Sequence, residues 1–125
     1  MKIKANIVIL TVDYQSGKTY VLSKSDRDIS IPYFEVNNSN KLNLGEDVKN
    51  SIMNYLPKAN ELEITEQIIT HHNGLLDTDE DEMNMIFGYL LSFTPCSENI
   101  FWIELDWRKA HKLHEVLFQV VQRLK

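Results

Sequence analysis

Strand-like and helix-like spacings of apolar residues alternate along this chain and predict an ordered series of elements. Residues 3–14 and 18–24 are rich in β-formers and flank a turn that ends at Gly17, which predicts a β-hairpin. Residues 29–31 alternate and predict a short third strand. Pro32 ends that strand or places it at an edge, because proline cannot donate to a ladder.

A helical spacing follows residues 37–43, whose polar character predicts a loop. From residue 45 to 56, apolar side chains recur at intervals of three and four, which predicts a helix with one apolar stripe. The stripe consists of Val48, Ile52, Tyr55 and Leu56. Asn43 with Glu46 can cap the start of this helix, and Pro57 ends it.

The second half of the chain returns to strand spacing and closes with another helix. Three strands are predicted, at 61–70, 83–93 and 100–105. Residues 107–124 carry a wide apolar face and predict a second helix with Asp106 as its N-cap. The order is β-β-β-α-β-β-β-α. It predicts one α+β domain over residues 1–125, a mixed β-sheet flanked by helices at about 45–56 and 107–124.

Composition and charge narrow the class of protein without indicating an activity. The hydrophobic fraction of 43% and the charged fraction of 25% are typical of a soluble globular domain. No apolar run approaches the ~20 residues of a membrane span, so no membrane association is expected. The net charge of −5 and the scattered basic residues disfavour binding to DNA or RNA. The lone Cys96 excludes an internal disulfide and favours a cytoplasmic protein.

Three junctions give the chain the shape of a known catalytic domain. A strand pattern ends in Ile-Pro before Tyr33 and Phe34. Gly45 and Glu46 then open an amphipathic helix, and the run FWIELDWRKAHKL at 101–113 leads into the closing helix. These three junctions follow one another in this order over nearly the whole chain, and in this respect the sequence resembles the Nudix hydrolase family. The resemblance implies an α/β/α sandwich and a cleft for compounds that contain a nucleoside diphosphate.

The catalytic signature of that family corresponds poorly to this sequence. The signature, Gx5Ex7REUxEExGU with U an aliphatic residue, holds divalent cations with glutamates on one helix face. Its first glutamate corresponds to Glu46, its Arg-Glu pair to Asn54 and Tyr55, and its Glu-Glu pair to Lys58 and Ala59. Magnesium requires a shell of hard oxygens, and catalysis needs the metal to neutralise phosphate and activate water. The resemblance therefore implies a degenerate hydrolase motif.

The first functional hypothesis is a non-catalytic Nudix-like binding or scaffold domain that requires no cofactor. It would recognise a protein partner, or a nucleotide-like ligand that it does not cleave, through Tyr33, Phe34, Glu46 and Tyr55. Tyr33 and Phe34 stand where the family has two glycines. Their bulk favours filling of the cleft over stacking on a nucleobase.

Two other classes of function remain as alternatives. One is a divergent Nudix hydrolase that cleaves nucleoside diphosphate-linked compounds with Mg²⁺ or Mn²⁺. Its metal ligands would come from Glu46, Glu61, Glu63 and Asp79. The other is a small structural subunit of a larger assembly, for which an exposed apolar patch is expected.

The remaining candidate chemistry favours ordinary surface roles. Residues 77–82 carry five carboxylates but lack the spacing and central glycine of an EF-hand, so they predict a hydrated loop rather than a cation site. His71 and His72 are adjacent in a strand pattern and therefore point to opposite faces. His111 and His114 lie three apart, with no third ligand identifiable for a zinc ion.

Overall fold

The computed structural model describes residues 2–36, 44–60, 64, 68–72 and 82–106. Within these ranges the chain forms six strands and one helix. They are β1 Lys2–Asp13, β2 Lys18–Ser23, β3 Tyr33–Val36, α1 Leu44–Tyr55, β4 Ile68–His72, β5 Glu82–Leu90 and β6 Phe101–Glu104. This order agrees with the predicted order of the first seven elements, although the third strand lies at other residues than predicted. The predicted helix at 107–124 lies outside the described residues, so the two-sided sandwich stays a prediction.

The long strand β1 organises the sheet, whose order is β4-β5-β1-β2-β6. Strand β5 runs parallel to β1 along one edge, with Lys2 opposite Glu82 and Leu10 opposite Leu90. The other edge of β1 is shared by two antiparallel strands, since β3 pairs with its first half and β2 with its second half. The sheet is therefore mixed, as predicted.

The predicted hairpin is confirmed by the pairing of β1 with β2 and by the turn between them. Gly17 has a φ of 74°, a conformation that L side chains rarely adopt, and its N–H donates to the Asp13 carbonyl at 2.7 Å. The Asp13 carboxylate accepts from the Gln15 N–H at 3.1 Å and from the Ser16 hydroxyl at 2.9 Å. These two hydrogen bonds hold the pKa of Asp13 below its ordinary value, with the Ser16 hydroxyl as the larger cause.

The third strand was predicted wrongly at 29–31, because β3 begins after Pro32 instead of ending before it. Pro32 has no N–H to donate, but its carbonyl accepts from the Ile7 N–H at 2.8 Å, in the gap between β3 and β2 along β1. The alternation at 29–31 reflects burial of an irregular segment, since Ile31 packs in the core while the Ser30 N–H donates to the Ser23 hydroxyl at 2.9 Å.

Other element boundaries differ from the prediction by several residues. Ile64 lies outside any strand, so the strand predicted from residue 61 begins at Ile68. Glu82 belongs to β5 and not to the acidic loop, and β5 ends at Leu90 before reaching Phe93. The remainder of the acidic loop, 77–81, lies outside the described residues.

The core lies on both faces of the sheet because alternate residues of each strand point to opposite sides. On one side, called here the α1 face, Ala5, Ile7 and Ile9 pack with the apolar stripe of α1. The helix contributes Val48 and Ile52, and Leu56 follows directly after its last residue; all three are fully buried, as the predicted stripe requires. On the opposite face, Val8 and Leu10 pack in a second cluster.

Candidate functional site

The four predicted binding residues lie in different surroundings. Phe34 and Tyr55 are both half-buried and pack against the core cluster of the α1 face. Tyr33, next to Phe34 in β3, points to the opposite face, as strand alternation requires. There the Tyr33 ring has the Lys4 Nζ at 4.7 Å and the Lys24 Nζ at 5.2 Å from its centroid. The structure therefore does not place Tyr33 and Phe34 in one cleft.

Glu46 is exposed in the first turn of α1, at the opposite end of the helix from Tyr55. Nine residues of α-helix span about 14 Å, so one ion cannot contact both positions. Glu46 and Asp47 instead suit the positive end of the helix dipole. The other proposed metal ligands, Glu61, Glu63 and Asp79, lie outside the described residues. Among the residues that are described, no three His, Cys, Asp or Glu side chains form a group that could hold a metal ion.

Tyr55 marks the end of α1 and its junction with the segment between β5 and β6. Its carbonyl accepts from the Ser97 N–H at 2.9 Å, which ties residues 91–100 to the helix end. Burial raises the pKa of the Tyr55 phenol above 10.0, so the side chain is neutral at pH 7. The side chain that the sequence resemblance aligns with a signature glutamate is thus a neutral, half-buried ring, and that correspondence stays a prediction.

A cavity of about 280 Å³ opens beside the end of α1 and is called here the Lys58 pocket. Its lining consists of Lys58, Ala59, Asn60, Leu91, Ser92, Phe93, Thr94 and Pro95. Lys58 itself is exposed, so its ammonium is solvated at the mouth of the pocket. The Thr94 hydroxyl is buried and has no hydrogen-bond partner among the residues that the structure describes. The polar groups of this pocket are an ammonium, an amide and hydroxyls.

A larger cavity of about 430 Å³, called here the aromatic groove, is bounded by residues of the β1–β2 hairpin together with Phe93 and Trp102. It is lined by Thr11, Val12, Asp13, Tyr14, Tyr20, Phe93 and Trp102. The Phe93 and Trp102 ring centroids are 6.3 Å apart, with the planes inclined at 41°. The Trp102 indole N–H donates to the Thr94 carbonyl at 2.9 Å, which fixes that ring. Phe93 lines both cavities.

Sequence reasoning missed the aromatic groove. Trp102 packs against the α1-face cluster and also lines the groove. Phe93 was assigned to a strand, whereas it lies beyond the end of β5 and is 70% exposed. The signal available in the sequence was a large apolar residue between Ser92 and Thr94-Pro95, a run typical of irregular structure.

The remaining candidates form no further site in the described part of the chain. Cys96 is half-buried, and its thiol donates to the Ile100 carbonyl at 3.0 Å. His71 and His72 end strand β4, as predicted. His111 and His114 lie outside the described residues. In the described ranges, no helix has the length and apolar character needed to cross a bilayer.

Comparison with known proteins relates the chain to others through its fold. No family model matches the sequence, and no curated protein is significantly similar to it. Three solved structures each match 98% of the chain. They are a MutT/nudix family protein from Enterococcus faecalis (TM-score 0.63, 11% identity), the complex between the C-terminal domain of mouse MUTYH and human PCNA (0.63, 12%), and the NUDIX domain of Shewanella oneidensis NrtR complexed with ADP ribose (0.64, 14%).

These likenesses show that the chain has a Nudix-like fold. The matched region is 88% of the chain in the MUTYH and NrtR structures. It is only 61% of the Enterococcus faecalis chain, so this sequence spans less than two thirds of that protein. At 11–14% identity, the likeness extends to the fold and not to an activity.

Proposed function

We propose that this chain is a Nudix-like domain that binds a nucleotide-like ligand without hydrolysing it. The observation that carries the proposal is Lys58, which lines the pocket beside the end of α1. The resemblance to the Nudix signature aligns a metal-binding glutamate with this lysine. The position therefore carries a charge of the opposite sign.

That reversal of charge suits a phosphate and opposes a divalent cation. Mg²⁺ and Mn²⁺ need carboxylate oxygens, and the described groups around this pocket do not fit them. An ammonium instead pairs with a phosphate directly and supplies the positive charge that the metal supplies in a hydrolase. Without a metal to activate water, the phosphate would be bound and left intact.

The surroundings of Lys58 support the same proposal. Ser92 and Thr94 bring hydroxyl groups to the pocket, and the buried Thr94 hydroxyl has no partner in the described part of the chain. Tyr55, neutral at pH 7, adds no negative charge beside it. Phe34 and Tyr55 pack against the core cluster of the α1 face, which supports the proposal that aromatic side chains occupy part of the cleft.

Two of the fold neighbours are complexes that represent the two kinds of partner considered for this chain. The NrtR domain is complexed with ADP ribose, and the MUTYH domain is complexed with PCNA. The ammonium and hydroxyls of the Lys58 pocket favour the nucleotide-like ligand. A protein partner would bury a wider surface, and no described feature around this pocket selects one.

The test is binding and turnover measured on the same protein. Titration calorimetry with ADP-ribose and a panel of nucleoside diphosphates, in EDTA, should show binding that does not require metal. Lys58→Gln should weaken it about tenfold through loss of a charge-assisted contact. Lys24→Gln, an exposed lysine on the opposite face, is the matched control and should have no effect.

Turnover assays with Mg²⁺ or Mn²⁺ test the alternative. Hydrolysis of any panel member that disappears in Glu46→Gln would overturn the proposal and establish a divergent hydrolase. Absence of binding by every panel member in EDTA would also contradict it and leave a protein partner as the ligand to seek.

A further inference from the structure

The aromatic groove carries chemistry that the proposed function does not use. Of the three exposed large hydrophobic residues in the described chain, two line this one cavity: Tyr14, 85% exposed, and Phe93, 70% exposed. Scattered exposed aromatics need no explanation, but two on the walls of one concavity indicate a ligand site. We propose that the aromatic groove binds the quaternary ammonium head of a small molecule.

The ring geometry favours a compact head over a flat ring. A planar ligand stacked between two aromatic side chains needs the planes of those side chains to be parallel and about 7 Å apart, which is twice the ordinary contact distance of about 3.5 Å. Phe93 and Trp102 are 6.3 Å apart and inclined at 41°, so they form a corner. A rounded cation can approach both rings of such a corner within the roughly 6 Å over which the ring quadrupole attracts it.

The charge at the groove favours a cation that needs no hydrogen bond. Each carboxylate oxygen of Asp13 already accepts one hydrogen bond, from the Gln15 N–H and from the Ser16 hydroxyl. These bonds take up part of its acceptor capacity, so the carboxylate offers negative charge with fewer lone pairs left for a directed hydrogen bond. Lys18 lies opposite Asp13 in the hairpin. Its ammonium is 3.9 Å from the Glu104 carboxylate, and its charge is the smallest of the causes that lower the pKa of Asp13.

The aromatic groove is also preformed. The hydrogen bond from the Trp102 indole to the Thr94 carbonyl fixes the ring, so binding loses little side-chain freedom there. The cavity of about 430 Å³ has room for a trimethylated head with a short tail. These features define the occupant as a small quaternary ammonium compound of the choline type.

Choline and ethanolamine are the matched probes because they differ only in the three methyl groups on nitrogen. Binding is followed by the fluorescence of Trp102 in a Trp107→Phe protein, which retains a single indole. Choline should bind about tenfold more tightly than ethanolamine. Phe93→Leu, which keeps apolar bulk, should weaken choline binding about fivefold. Tyr33→Leu, another exposed aromatic outside the groove, should leave it unchanged.

Asp13→Asn removes the charge and keeps one of the two side-chain acceptors of the turn. It should weaken choline binding severalfold, whereas the exposed Asp26→Asn should not. Lys58→Gln should leave choline binding unchanged, which separates this proposal from the proposed function. Thermal melting of each variant confirms folding.

Equal affinity for choline and ethanolamine, no binding of choline, or tighter binding of adenosine with the same dependence on Phe93 would overturn the proposal. Binding of a trimethyl-lysine peptide but not of choline would overturn the small-molecule occupant.

Discussion

The Asn6 side-chain amide donates to the Asn84 side-chain carbonyl at 3.0 Å, across the parallel pair formed by β1 and β5. Both side chains are buried on the opposite face of the sheet from α1, and Asn6 also donates to the Met85 carbonyl at 3.2 Å. A slip of one strand by one residue would turn its amide toward the α1-face core and away from the amide of the other strand. The pair therefore specifies the register of the two strands.

Replacing Asn6 alone should cost more stability than replacing it in a protein that already lacks Asn84. Asn6→Leu leaves Asn84 without this partner and should lower the free energy of unfolding by about 1–3 kcal/mol. Asn6→Leu with Asn84→Leu should cost less than the sum of the two single changes, because no amide is then left buried without the other. Urea unfolding of all four proteins measures the coupling, and additive costs would contradict it.

Removing the Thr11 hydroxyl should stabilise the fold. Thr11 is only 2% exposed, and its hydroxyl has no hydrogen-bond partner within the described ranges. Thr11→Val removes the unpaired group with little change in shape and should raise the free energy of unfolding by about 1 kcal/mol. Thr19→Val, at a half-exposed position, is the control and should change it by less than about 0.5 kcal/mol. A lower melting temperature for Thr11→Val would mean that the hydroxyl has a partner in solution.

Ser23 should be the most sensitive position of the segment between β2 and β3. Its fully buried hydroxyl accepts from the Ser30 N–H at 2.9 Å and lies 2.8 Å from the Ser25 carbonyl, to which it can donate. Ser23→Ala leaves these groups without the hydroxyl and should lower the free energy of unfolding by about 2–3 kcal/mol. Ser25→Ala, which removes one exposed hydrogen bond to Arg27, should cost less than about 1 kcal/mol. Hydrogen exchange at the Ser30 amide should accelerate in the first variant only.

Tyr55 should make the fold sensitive to alkaline pH. Burial raises the pKa of Tyr55 above 10.0, so the folded protein keeps a proton that the unfolded chain releases. This contribution is complete below pH 10 and is lost as the pH rises through the folded-state pKa. Tyr55→Phe should therefore lose less stability than the parent protein above pH 10. Parallel curves of unfolding free energy against pH would show that Tyr55 does not cause the dependence.

Local patterns allowed the sequence to predict much of the fold. The hairpin follows from two β-rich runs around Gly17, and α1 follows from the spacing of Val48 and Ile52 before Pro57. The position of β3 could not be derived in the same way. Its pairing depends on the Pro32 carbonyl meeting the Ile7 N–H, a contact between distant segments that no local periodicity contains.

The candidate site was harder to predict from the sequence than the fold. Adjacent strand residues point to opposite faces, so the separation of Tyr33 from Phe34 follows once both are assigned to β3. The aromatic groove could not be predicted, because it unites the end of β1, Tyr20 of β2 and the segment around Phe93. The binding roles of Tyr33, Phe34, Glu46 and Tyr55 stay predictions.

The parallel pairing of β1 with β5 determines when the fold can be completed during synthesis. Lys2 meets Glu82 and Leu10 meets Leu90, so each contact joins residues 80 positions apart. Contacts of such long range close slowly, and one whole edge of β1 has no partner in a nascent chain that ends before β5. β5 follows β1 by 80 residues along the chain, so that apolar strand stays open to wrong pairing until β5 has also been translated.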